Sequence, residues 1–350
     1  MRAFDIIVPT LAAGLVGGCA AGAGRFPLPT ATEVSQSGAR HQTGADGWML
    51  PGAKSMDLLY VSDSGDGGSL LVFSYPKGKL VGEITAPSGS LATLCSDSAG
   101  DVFVTTIDTV SQSYIYEYAH GGTTPIATLT DPGWPNGCAV DPASGNLAVA
   151  NYFSDDPPYD HGNVVVYAGA KGIPTPYSDA SIPAFQFCAY DDVGNLFADG
   201  GGGLAELPEG GKSLGNISLD QNIGPASIQW VAAYQALVVA GLADVGKRGP
   251  NKIYRVTVSG STGAVTGPTL LKTKSGRNSN NVQFWTGDGR IVGPAVAGGA
   301  LVLLDFWDYP RGGSPRKSVR RPDGAHSLYG VTVSRVDGKT TPRASLNSGF

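Results

Sequence analysis

From residue 56 to residue 336 apolar and polar positions alternate in short runs, each bounded by Gly, Asp, Asn or Pro. A period of two marks strands with two distinct faces, and the bounding residues mark tight turns. One arrangement recurs. Cys138-Ala139-Val140-Asp141 passes through a turn into Asn146-Leu147-Ala148-Val149-Ala150-Asn151. Cys188-Ala189-Tyr190-Asp191 passes into Asn195-Leu196-Phe197-Ala198-Asp199, and Leu94-Cys95-Ser96-Asp97 into Asp101-Val102-Phe103-Val104-Thr105. Weaker copies run from Gln229 to Gly241 and from Gln283 to Pro294. Each copy predicts a β-hairpin. Third strands are expected at 114–118, 163–167, 252–258 and 300–304, and fourth strands at 126–129, 217–219 and 270–272.

The first strands of these units are expected near residues 91, 137, 184, 226, 280 and 328, at spacings of 46, 47, 42, 54 and 48. Four short strands per unit of this length predict the blades of a β-propeller. Residues 58–62, 70–74 and 80–84 form three strands with no inner strand before them, and 328–333 is an inner strand with nothing after it. The expected fold is therefore all-β: a six-bladed β-propeller of four-stranded blades, closed by the C-terminal strand completing the N-terminal blade. Such a joint leaves no blade edge free to fray.

Composition narrows the classes further. The 350 residues include 51 Gly, and only 15% are charged, which fits turn-rich β structure. At 41% hydrophobic, the chain can build a core. A net charge of −5 argues against nucleic acid as a partner.

The N-terminus reads as an address. Arg2 precedes an apolar run, Ile6 to Val16, too short to span a bilayer, and small residues lead to Cys19. Leu15-Val16-Gly17-Gly18-Cys19 resembles a bacterial lipobox, which implies lipidation of Cys19 and export to the cell envelope, at the outer membrane or cell surface. An ordinary secretory signal is the plainer alternative. The organisation expected is a lipoprotein signal peptide over 1–19, a flexible tether over 20–55, the propeller over 56–336 and a tail over 337–350.

Pro135-Asn136-Gly137-Cys138-Ala139-Val140-Asp141 through Gly145–Asn151 resembles the NHL repeat and the related six-bladed superfamily of gluconolactonases and the senescence-marker protein. The likeness covers roughly 56–336. It implies a ligand site at the channel mouth, on the face carrying second-to-third-strand and outer-to-inner links. Residues placed there are Trp134, Asn136, Asn151, Asp155, Asp156, Asp160, His161, Asp199 and His326. In the gluconolactonase-like enzymes a Pro-Asn-Gly supplies a metal-ligand Asn, which points to Asn136. The family's Glu-Gly-Pro and its acidic residue in the third inner strand are absent here. A turn-capping Asn136 is the simpler reading. The loop 152–162 mixes carboxylates, aromatics, prolines and one His, and reads as a ligand lip or as a Pro-stiffened link.

Cys95, Cys138 and Cys188 take similar places in three consecutive inner strands. At most one pair can bridge. The separation expected between blades favours three small buried residues instead. Trp230 and Trp285 read as blade packing, and the run Arg311, Arg316, Lys317, Arg320, Arg321 as an outer edge charged against aggregation or as an anion-binding surface.

Two functions follow. The first is a lipid-anchored binding or scaffold module in the envelope that holds a protein, peptide or glycan on its loop face and meets the membrane only through its lipid. The alternative is a metal-dependent hydrolase of the lactonase type, with Ca²⁺ or another divalent cation on Asn136, Asn151 and Asp199.

Overall fold

The structure, a computed structural model, describes residues 33–34, 47–64, 68–109, 112–154, 161–241, 249–274, 276, 283–297, 300–323, 325 and 327–336. They form six antiparallel sheets whose innermost strands each touch the next in a closed ring, a six-bladed β-propeller. Blade 1 runs outward as Leu328–Ser334, Leu58–Asp63, Ser69–Ser74 and Lys79–Thr85. The C-terminal strand thus completes the first blade, in the register Val331 opposite Val61 and Val333 opposite Leu59. Blade 2 is Ser90–Ser96, Val102–Thr109, Gln112–Tyr118 and Ala127–Asp131. Blade 3 is Gly133–Val140, Leu147–Ser154, Asn163–Tyr167 and Thr175–Tyr177. Blade 4 is Phe187–Tyr190, Leu196–Gly200, Gly203–Leu207 and Gly215–Asn216. Blade 5 is Pro225–Val231, Ala236–Gly241, Asn251–Ser259 and Thr262–Leu271. Blade 6 is Trp285–Gly287, Arg290–Ala297, Ala300–Asp308 and Lys317–Arg320.

The period-two pattern explains the packing. In Leu58–Asp63, Leu58 and Tyr60 join the buried cluster shared with blade 2, while Leu59 and Val61 join the one shared with blade 6. Alternate residues of one strand therefore serve two different neighbours. The described residues contain six such clusters, one between each pair of adjacent blades. There is no single core; the ring is held by six similar contacts. Trp230 and Trp285 belong to them, Trp230 stacked on Phe197 at 6.2 Å and Trp285 edge-on to Tyr75 at 5.3 Å.

Four expectations need correction. The segment expected as one fourth strand at 217–219 is split: Gly215–Asn216 pairs with blade 4, and Ser218–Leu219 pairs with the edge of blade 5. Ile217, buried between them, turns the chain from one blade to the next. The fourth strand of blade 5 is also longer than 270–272, extending back to Thr262.

The stretch 20–55 is not only a tether. Glu33–Val34 adds a parallel strand to the edge of blade 6, and Gly47–Met49 an antiparallel one to the edge of blade 1. Outer strands offer unpaired N–H and C=O groups, and these segments take them up.

Cys95 and Cys138 do form a disulfide. Their Cα atoms are 5.6 Å apart, within bonding range. The separation expected between blades overlooked the crowding at the axis, where the innermost strands of blades 2 and 3 both carry register shifts. Cys188 is buried and free.

Candidate functional site

The second-to-third-strand links define an upper face and the third-to-fourth turns a lower one. At the upper mouth the innermost strands bulge, at Tyr329-Gly330, Ala92-Thr93, Asn136 and Ser227. A bulge leaves ladder groups unpaired, so side chains must satisfy them. Ser62 Oγ accepts from Gly330 N at 2.7 Å and donates to Ala92 O of blade 2 at 2.6 Å. One blade on, Thr105 Oγ1 accepts from Thr93 N at 3.0 Å, and Thr93 Oγ1 donates to Asn136 O of blade 3. In blade 4 Asp199 takes that position, and its Oδ1 accepts from Phe187 N at 2.9 Å. Gln283 closes the mouth on the remaining side. Its Nε2 donates to Leu94 O at 2.6 Å, and its Oε1 accepts from Leu94 N and Val331 N at 3.1 Å each. Blades 1 and 2 approach so closely that a Cβ on Gly330 would lie 2.8 Å from Thr93 Cα.

The residues singled out from the sequence fall into separate places. Asn136 is at the axis, its Oδ1 accepting from Tyr329 OH at 3.1 Å. This contact ties blade 3 to blade 1. Asn151, fully buried, points along its own blade, and its Nδ2 donates to Asn163 Oδ1 at 3.0 Å. Asp199, also fully buried, serves blade 4. Asn136 Oδ1 accepts from Tyr329 OH and Asp199 Oδ1 from Phe187 N, whereas Asn151 Oδ1 has no hydrogen-bond partner among the described residues. Among the described residues no three His, Cys, Asp or Glu side chains are grouped to hold a metal. Cys19, Asp155, Asp156, Asp160 and His326 lie outside the described residues. His161 is exposed at the upper rim, where its backbone O accepts from Ser154 N at 2.9 Å.

Three aromatic side chains gather at that rim. Trp134 opens the innermost strand of blade 3, and Tyr152 and Phe153 end its second strand. Trp134 and Phe153 centroids are 5.7 Å apart, and Tyr152 meets Phe153 edge-on at 4.8 Å. Tyr152 is 40% exposed, one of few large hydrophobic side chains at the surface. Phe153, Tyr329 and Gln283 were not singled out from the sequence. Phe153 was legible as the end of an alternating strand; the other two were not, because their partners lie in other blades.

Buried oxygens without partners mark the seams around blade 4. Asn151 Oδ1, Gln186 Oε1 and Asp199 Oδ2 find no hydrogen-bond partner among the described residues. Burial pushes the Asp199 carboxyl well above the usual carboxylate range, opposed by the Phe187 N–H. Burial, and then neighbouring Asp199, push the Cys188 thiol up.

No family model matches the chain, and no curated protein sequence matches it. Its fold is similar to that in the nidogen/laminin complex, with a TM-score of 0.59 at 13% identity over 80% of this chain and 99% of that one. A Bacteroides caccae protein of unknown function matches at 0.56 and 12% over 80% and 99%, and TolB from Acinetobacter baumannii at 0.56 and 12% over 81% and 68%. At these identities the likeness is one of fold.

Proposed function

We propose that this propeller is a binding module of the cell envelope, exported and lipid-anchored at Cys19, which holds a protein, peptide or glycan on the upper face of blade 3. The observation that carries the reading is the Trp134–Phe153–Tyr152 cluster, with Tyr152 presented to solvent beside the channel mouth. Aromatic rings that keep one face wet are a common way to bind partners by contact area at low entropic cost. The rigid blade beneath supplies preorganisation. The Cys95–Cys138 disulfide supports an oxidising compartment, as export would provide. The partner-binding part of the proposal also draws on the fold's occurrence in the nidogen/laminin complex.

The test is photo-crosslinking in intact envelopes from a benzoylphenylalanine placed at Tyr152, with a probe at Ile173 as control. Ile173 is 95% exposed in blade 3, away from the cluster. A discrete adduct from 152 that Trp134→Ala removes is the expected result. Equal, diffuse labelling from both probes would sink the reading. The Asp155, Asp156 and Asp160 carboxylates belong to the same proposal, and their alanine variants should weaken the same adduct.

A further inference from the structure

The lower rim is electrically divided. The turns of blades 2, 3 and 4 carry the half-buried Asp97 and Asp101 and the exposed Asp192, with Asp141 and Asp191 buried in their own turns. At the joint of blades 6 and 1 the sign reverses. The third-to-fourth turn of blade 1 brings Lys77 and Lys79, and that of blade 6 brings Arg311, Arg316 and Lys317. The two turns touch: Lys317 Nζ donates to Lys77 O, and a Cβ on Gly78 would lie 2.9 Å from Val319 Cγ2. The carboxylate paired within this group is Asp308, 2.6 Å from Arg316, whose side chain stays 65% exposed. Lys77, Lys79 and Arg311 are exposed. A chain of net charge −5 thus concentrates cations on one arc of one face.

The path of the chain points to the same arc. Glu33 pairs with Ser318 and Val34 with Val319, in parallel. The strand therefore begins beside Lys317, at the lower rim, and runs upward. Cys19 is 14 residues earlier, at most about 50 Å away even at full extension. A membrane holding Cys19 is within reach of the basic arc. We propose that this lower rim at blades 6 and 1 docks on an anionic phospholipid surface, tilting the propeller so that the acidic turns of blades 2 to 4 stand off and the upper face looks outward. The tether in this arrangement rests on the lipidation reading of Cys19; the charge-driven contact does not. Cations draw anionic headgroups within about 10 Å at ordinary ionic strength.

The test uses full-length protein and two vesicle types, pure phosphatidylcholine and phosphatidylcholine mixed with phosphatidylglycerol, at low and high salt. Each surface cation contributes about fivefold to binding at an anionic surface. Lys77→Gln, Lys79→Gln and Arg311→Gln together should weaken binding to the anionic vesicles about a hundredfold. Binding to pure phosphatidylcholine should not change. Lys171→Gln with Lys212→Gln, on the lower turns of blades 3 and 4, should cost less than about twofold. A melting curve checks folding, and Arg311→Gln alone, in an exposed turn, is the milder variant, with about a fivefold loss. Anionic binding that is indifferent to these changes, or a loss of equal size in the control, overturns the rim as the contact. The mass of the isolated N-terminus reports acylation separately. An unacylated Cys19 with the charge effect intact removes the anchor and keeps the surface; an acylated Cys19 with no charge effect does the reverse.

Discussion

Ser62 and Asp199 occupy the same place in their blades, each on the second strand against the upper end of the innermost one, yet they leave their seams in different states. The Ser62 hydroxyl accepts from its own blade and donates to the next, so the seam of blades 1 and 2 is sealed through one atom. Between blades 2 and 3 the Thr93 hydroxyl donates across to Asn136 O while Thr105 holds Thr93 N, and the disulfide bridges that seam as well. Asp199 accepts from its own blade only, and its second oxygen is buried without a partner. A hydroxyl is donor and acceptor at once, whereas a carboxylate only accepts. A carboxyl can match the hydroxyl only when protonated, and burial drives it that way. Polar side chains of similar size at one repeat position can therefore close a ring tightly or tie part of its stability to pH.

The disulfide separates the two regions most. Replacing Cys95 and Cys138 together by Ala should lower stability by about 3–4 kcal/mol, given the 43-residue separation it spans. Cys188→Ala, in the neighbouring seam, should cost far less, and denaturant unfolding of both would check the contrast. Ser62→Ala should cost about 2 kcal/mol, because Gly330 N and Ala92 O lose their shared partner while buried. An effect no larger than that of an exposed serine such as Ser55 would break the comparison.

Asp199→Asn tests the other seam. The folded pKa of Asp199 is raised, so the folded state holds its proton more tightly than the unfolded state. Its contribution is greatest below the unfolded value of about 3.9 and declines by about 1.4 kcal/mol per pH unit up to the folded pKa. Asparagine offers an acceptor and a donor without charge. The variant should be at least as stable as the parent above pH 5, with a flatter stability profile. Parallel profiles for the two proteins would show that Asp199 does not titrate in this way.

The closure joint supplies a smaller effect of opposite sign. His120 Nδ1 meets Ser334 Oγ at 2.5 Å and its Nε2 meets Met56 O at 3.2 Å, and burial lowers its pKa. Stability from this group is present above the unfolded value of about 6.5 and is lost as pH falls through the folded one. His120→Gln should remove that acid-side loss, readable as a Tm difference between pH 5 and pH 7. Smallest is Tyr329→Phe, which frees Asn136 Oδ1 and should cost under about 1 kcal/mol. A larger cost would mean that the contact from blade 1 to blade 3 holds the mouth together.

Parts of this were legible in the sequence. The hairpin repeats gave the blade count, and the unpaired strand 328–333 gave the closure, because hydrophobic alternation and turn chemistry are local. The place of Asn136 at the channel mouth was legible, but its partner was not: Tyr329 lies 193 residues away. The likeness between Ser62, Thr105 and Asp199 could have been read from the repeat, by asking which polar residue each copy carries at that position. Residue type shows which side chains can bind a cation, not where they point. Asn151 turns along its own blade to Asn163, away from the axis where Asn136 meets Tyr329.

By itself, then, the sequence determined the all-β class, six blades and a ring closed by its last strand, since each is set by period, turn residues and spacing along the chain. The tertiary structure decided which cysteines join, which polar groups are satisfied, and that residues 33–34 and 47–49 cap the outer edges of blades 6 and 1. Those outcomes depend on distances between groups far apart in the chain. They are fixed only when six blades crowd one axis, and a pattern along a single strand contains no record of the strand beside it.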